Sequence, residues 1–303
     1  MADPSSETAS GESPAGEVDV SGVARDAVPG RRMSTRNRFL FFFVAWLIVL
    51  MPFLFWWNTW FGRRLTDRQM SEYLNDAKHP RHIQHALVQL SERMQNGDAG
   101  AVRWYPDIVR LAANPVEEVR NTDAWVMGQD PRGPGFHETL LKMLGDSSAM
   151  VRGNAALSLV RFGDAAGRPQ ILELLQPVKV VAPSAGTVAE VSTVGTAVRQ
   201  SGLIAKLQEG AQSVELRSPI TGRIRTLVTA AGVHVAAGDV VATVDPGDDQ
   251  AWEALRALYL VGRPNDLVVI QLYERESRQT SDRVRQQALL TEKSIRDRAT
   301  RQP

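Results

Sequence analysis

The chain has 303 residues, 43% of them hydrophobic and 23% charged, which is enough for one or two domains beyond any tail. It contains no cysteine, which excludes a disulfide framework, a thiolate metal site, a covalently attached c-type haem and a cysteine nucleophile. A net charge of +1 argues against a general nucleic-acid binder, so no nucleic-acid partner is expected.

Residues 1–36 read as a disordered acidic tail with a basic end. Asp3, Glu7, Glu12, Glu17, Asp19 and Asp26 stand against Arg25 among Pro, Ser, Gly and Ala, and such a stretch cannot bury enough apolar surface to offset its ordering entropy. Phe39 to Trp57 follow as an unbroken apolar run, about 28 Å long as a helix, close to the hydrocarbon thickness of a bilayer. A transmembrane helix is therefore expected over 38–61. Pro52 would be tolerated there as a kink, and Trp56, Trp57 and Trp60 would sit at the headgroup level. Arg25, Arg31, Arg32, Arg36 and Arg38 precede the run, while Arg63, Arg64 and Arg68 follow it. That balance predicts a single-pass inner (plasma) membrane protein with the lipid bilayer as a partner, a cytoplasmic N-terminus, and C-terminal domains that are periplasmic or extracellular.

From residue 66 the hydrophobic period becomes 3.6. Ile83, Ala86, Leu87, Leu90 and Met94 share one helical face, and Asn96-Gly97 ends it. Asn114-Pro-Val-Glu-Glu-Val-Arg120 superimposes on Asp146-Ser-Ser-Ala-Met-Val-Arg152 at an offset of 32 residues. Leu141, Met143 and Leu144 recur as Leu172, Leu174 and Leu175. Each unit is a short helix, an acidic or Pro-containing turn, and a second helix carrying Val-Arg and alanines. Arg120 and Arg152 are expected to satisfy a turn's carboxylate or carbonyls. Ser281 to Leu290 copies Ser148 to Leu157, so the pattern resumes after an interruption. The units resemble HEAT repeats, in the short form also found in phycobilin-lyase-type proteins. The resemblance implies an α-solenoid over 66–177 and 247–298, in which stacked helix pairs share one core.

Residues 178–246 have another grammar: β-branched residues, regularly placed glycines and short alternating runs. Ala182-Pro-Ser-Ala-Gly-Thr-Val188 matches Ser218-Pro-Ile-Thr-Gly-Arg-Ile224. Gly195, Val198 and Gly202 then pair with Gly232, Val235 and Gly238. This duplication resembles the biotinyl/lipoyl domain and the barrel-sandwich hybrid of membrane fusion proteins, the periplasmic adaptors of efflux and secretion systems. A carrier domain of that family presents a lysine eight residues before the second proline. That position is Ala211, so the resemblance implies no attached cofactor, and none is expected. The long helical hairpin usual in adaptors is also missing, because the connection between the halves is only about eight residues long, with Gln208, Glu209, Gly210, Ala211, Gln212 and Ser213 in its turn.

No catalytic constellation emerges: there is no phosphate-cradling loop and no nucleophile elbow. His79, His82 and His85 stand close together, and His82 and His85 would share a helical face as metal candidates. Solvated polar residues around a helix start explain them better, so no metal is expected. His137 and His234 are isolated in the sequence.

The fold class expected is thus α+β multidomain: one transmembrane helix, an α-solenoid of HEAT-like helix pairs, and an all-β barrel-sandwich hybrid inserted in one repeat. The expected function is a membrane-anchored, non-enzymatic scaffold or assembly subunit that binds protein partners, such as a transporter or a respiratory membrane complex. Contacts would come from residues 208–213 of the connecting turn and from exposed aromatics such as Trp104, Tyr105 and Trp125. The alternative is a periplasmic adaptor subunit of an efflux or secretion transporter; a carrier protein or enzyme subunit is the third class.

Overall fold

The computed structural model describes residues 35–60, 64–210, 212–275 and 280–301, with side chains in the first helix described from Phe39 to Phe53. The tail expected over 1–36 falls outside these residues up to position 34. Two compact units divide the chain after Arg63, and each is described by itself.

The first unit contains helix α1 (Thr35–Trp60), with Pro52 inside it. Among the described residues no helix is long and apolar enough to cross a membrane. This overturns the transmembrane helix expected over 38–61, and with it the membrane anchor, the bilayer as partner and the inner-membrane placement with periplasmic C-terminal domains. The helix begins on the polar stretch Thr35-Arg-Asn-Arg38. Phe39, Phe41, Phe42 and Phe43 stand more than half exposed on it.

The second unit, Arg64–Pro303, mixes helices with two antiparallel sheets. Helices α2 (Asp67–Leu74), α3 (Pro80–Gln95), α4 (Tyr105–Leu111), α5 (Glu117–Met127), α6 (Phe136–Met143), α7 (Ala149–Arg161) and α8 (Arg168–Glu173) alternate in length, a shorter one before each longer one. After the strands come α9 (Asp248–Val261), α10 (Leu267–Ile270) and α11 (Asp282–Arg301). Local sequence sets the boundaries. Thr66 and Gln69 form a reciprocal capping box at α2, and Pro80 opens α3 where its missing N–H costs no hydrogen bond.

The longer helices lean on one another through side chains that reach back to the preceding helix's carbonyls. Ser158 Oγ donates to Ala124 O at 2.8 Å, Thr291 Oγ1 to Leu255 O at 2.9 Å, and Arg298 Nη2 to Gly262 O at 2.9 Å. Arg120 Nη1 donates to Asn114 O, and its Nε and Nη2 fork onto Asp146 at 2.7 and 2.9 Å. Arg152 repeats the backbone contact with Asp146 O and Ser147 O. These arginines therefore brace turns, as their spacing predicts. The fork is mostly buried, and its hydrogen bonds hold the Asp146 carboxyl below its ordinary range. The helical core runs in two connected clusters, from Leu65 to Leu159 and from Ala156 to Ile295.

Between α8 and α9 lie eight strands: β1 (Val178–Val181), β2 (Gly186–Val191), β3 (Ala197–Val198), β4 (Leu203–Glu209), β5 (Gln212–Arg217), β6 (Gly222–Leu227), β7 (His234–Val235) and β8 (Val240–Pro246). One sheet has the order β1-β8-β6-β3 and the other β5-β4-β2-β7. Exchanging β1–β4 with β5–β8 converts one order into the other, so each sheet takes two strands from each half. The turns obey the same exchange. Gly195 N donates to Ile224 O while Gly232 N donates to Val188 O, each at 2.8 Å, and both glycines have φ of 86°. Ser201 N donates to Ser218 O while Gly238 N donates to Ala182 O. Here the structure corrects the sequence pairing by one residue. The partner of Gly238 (φ 88°) is Ser201 (φ 62°), a left-handed non-glycine, and not Gly202. Val188, Ile204, Leu207, Ile224, Val241 and Val244 fill the space between the sheets, and Met150 of α7 packs against them.

Candidate interaction site

The turn joining β4 and β5 is a tight hairpin. Glu209 pairs with Gln212, Gly210 takes φ of 59°, and Gln208 Nε2 donates to Gly210 O at 2.8 Å. Gln208, Glu209, Gly210, Gln212 and Ser213 are exposed, and Ala211 lies outside the described residues. Among its described residues the tip presents polar side chains to solvent. Lys206 is on β4 and is engaged by Glu190 at 2.9 Å, an ion pair that raises its pKa.

Of the three aromatics expected at an interface, two are core. Trp104 and Tyr105 are 2% and 4% exposed, because the turn before α4 folds inwards. Trp104 Nε1 donates to Ser71 Oγ at 2.9 Å, and the Tyr105 hydroxyl donates to Asp130 at 2.7 Å. Burial and that carboxylate push the Tyr105 hydroxyl far up. Trp125 alone of the three is exposed, at 37%.

Trp125 borders an open cleft of about 310 Å³ across α5, α7 and α9. Its apolar lining is Trp125, Leu157, Val160, Ala257 and Leu260, the last 59% exposed, and its charged rim is Arg161, Glu253 and Arg256. Arg161 is steadied by Gln129 Oε1 at 2.8 Å, and Asn154 bridges back to Asn121 Oδ1 at 2.8 Å. Arg256 stays near Glu253 at 3.9 Å and over the Trp252 ring at 5.4 Å. Sequence periodicity marks the inward face of each helix; Trp125, Leu157 and Leu260 come together only when three longer helices stack.

The histidines fall differently from expectation. His82 and His85 do not converge: the His85 Nε2 contacts Gln89 Nε2 at 3.0 Å, whereas the His82 Nδ1 contacts Asp76 Oδ2 at 2.8 Å. His79 joins Asp76 instead, and hydrogen bonds from His82 and then His79 hold that carboxyl below its ordinary range. The spacing Asp-x-x-His-Pro-x-His was the signal that could have found this group. His137 is not isolated either, since it pairs with Asp164 at 2.8 Å, and His234 is exposed on β7. A second carboxyl pair had no sequence signal. Burial and a hydrogen bond to Glu292 raise Glu274 to about 7, while Gln271 Nε2 donates to Glu292 at 2.9 Å.

No family model matches the chain, and no curated protein matches it. Among solved structures it is similar to an engineered protein at 15% identity, over 76% of this chain and 80% of that one, with a TM-score of 0.38. It is also similar to a single-chain, multi-domain long-chain acyl-CoA carboxylase at 16% identity, over 46% of this chain and 14% of that one, with a TM-score of 0.23. At those scores neither likeness bears on function. The class defined by the structure is therefore a mixed chain of stacked helix pairs with two antiparallel sheets between α8 and α9.

Proposed function

We propose that this chain is a non-enzymatic scaffold or assembly subunit that binds protein partners through a HEAT-like solenoid and a lipoyl-like barrel without an attachment lysine. The observation that carries this reading is the cleft across α5, α7 and α9, where Trp125 and Leu260 present apolar surface inside a rim of Arg161, Glu253 and Arg256. Exposed apolar floors of this kind on stacked helix pairs suit a partner's helix or extended segment. The polar tip at residues 208–213 supplies a second contact.

The test is crosslinking and affinity isolation of the full chain from its native cells, with a double variant, Trp125→Glu and Leu260→Glu, beside it. Both positions are exposed, so the variant keeps its fold, which circular dichroism checks. The expected result is at least a tenfold loss of specifically crosslinked partner. An unchanged set of partners and yields overturns the cleft as the binding surface.

A further inference from the structure

We propose that Asp76, His79 and His82 bind one first-row divalent transition-metal ion of the zinc class at the loop joining α2 and α3. The His79 Nδ1 lies 3.0 Å from Asp76 Oδ1 and 2.8 Å from Oδ2, and the His82 Nδ1 lies 2.8 Å from Oδ2. The three ligand atoms are all within 4.8 Å of one another. In a tetrahedral zinc site with bonds of ~2.0–2.1 Å the ligand atoms stand about 3.3 Å apart, so the carboxylate has to retreat by only roughly 0.5 Å to admit an ion.

The backbone arranges these groups before any ion arrives. Asp76 N donates to Tyr73 O, His79 N to Asp76 O and His82 N to His79 O, which closes the loop on itself. Pro80 starts the helix between the two histidines and puts His82 one turn beyond His79. The His82 ring stacks on Tyr73 with centroids 4.4 Å apart and planes 10° apart, and Tyr73 in turn packs on the core, so the imidazole plane is held. Asp76 sits in the loop between the two helices.

Two imidazoles and one carboxylate suit zinc and its neighbours, whereas magnesium and calcium prefer oxygen-only sets. His85 is turned to Gln89 and contributes nothing. Because the histidines are 62% and 43% exposed, a fourth position faces solvent and is open to water or to an outside donor. The site is remote in sequence from the α5–α7–α9 cleft and is independent of the scaffold reading.

The experiment is calorimetric titration of the tag-free full chain with zinc chloride and, separately, magnesium chloride, with the visible absorption of bound cobalt(II) as a second readout. The expected result is one zinc per chain, no magnesium, and affinity at least tenfold weaker in His82→Ala and in Asp76→Asn but unchanged in His85→Ala. Cobalt should give a tetrahedral d–d band that His82→Ala abolishes. Equal thermal melts in EDTA establish that the variants are folded. If His82→Ala fails that check through loss of the Tyr73 stack, His79→Ala supplies the same comparison. Absence of zinc binding, or zinc binding that these substitutions leave unchanged, overturns the site.

Discussion

In the helical part each longer helix rests on the next by translation, whereas in the two-sheet part each half completes the other by exchange. Translation leaves every step open on one side, and Trp125, Leu157 and Leu260 line such an opening. Exchange gives two sheets, β1-β8-β6-β3 and β5-β4-β2-β7, that share their inner faces. The stack has to remain continuous on either side of the strands. Tyr273 donates from its hydroxyl to Leu175 O at 2.7 Å, and Gln250 Nε2 donates to Leu174 O at 2.9 Å, both across the inserted strands.

The largest way to break this comparison is at the ion pair between Arg168 of α8 and Asp266, just before α10. The two are 98 residues apart in sequence, and Asp266 is 2% exposed. Asp266→Ala strands a guanidinium and frees the Arg263 N–H that donates to Asp266 Oδ2, at a cost of about 3–5 kcal/mol. A drop in urea midpoint of that size is expected. A cost below about 1 kcal/mol would mean that the stack on either side of the strands holds together without this pair.

A smaller effect comes from Asp123 of α5. Its side chain is fully buried and neither carboxyl oxygen has a hydrogen-bond partner, while the position that matches it in α7 is Ala155. Burial, only partly opposed by Arg110, holds its pKa well above the ordinary 3.8. A raised carboxyl pKa in the folded state means that the native protein binds the proton more tightly than the unfolded chain. The stability it contributes is complete below pH 3.8 and is lost as pH rises through the folded value. Asp123→Ala, the choice already made one repeat later, should flatten that decline and raise stability at neutral pH by roughly 1–3 kcal/mol. Denaturant titrations at a series of pH values measure both. A parallel pH profile for wild type and variant would show that Asp123 is not the group responsible.

The smallest effect tests the exchange symmetry of the two sheets. Ser201 holds φ of 62° where its partner Gly238 holds 88°, so Ser201→Gly should stabilise by roughly 0.5–1 kcal/mol, read as a small rise in thermal midpoint. Gly238→Ser should lower it. A fall for Ser201→Gly would mean that the hydroxyl, and not the backbone, matters at that turn.

Much of the local architecture was legible because it depends on residues near one another. Pro80 and the Thr66–Gln69 box mark helix starts, and glycine at 195 and 232 marks two turns with the same positive φ. Arg120 and Arg152 recur at the offset of the helix pairs and brace equivalent turns. The turn at Ser201 was misread by one position because a neighbouring glycine, Gly202, offered the more familiar signal. The apolar run from Phe39 misled more seriously. Counting residues gave a length near that of a bilayer, and no described helix is long and apolar enough to cross one.

Residue spacing alone established where the period is 3.6, where short runs alternate, and that the halves of 178–246 are related. Those properties follow from backbone sterics and hydrophobic spacing, which act within a few residues. Tertiary structure decided the burial of Trp104 and Tyr105, the burial of Asp123, the pairing of Arg168 with Asp266, and the assembly of a cleft from three helices. It also turned His79 and His82 towards Asp76 and left His85 aside. Each of these depends on which groups a folded chain brings within a few ångströms, and burial and hydrogen bonding act at that range.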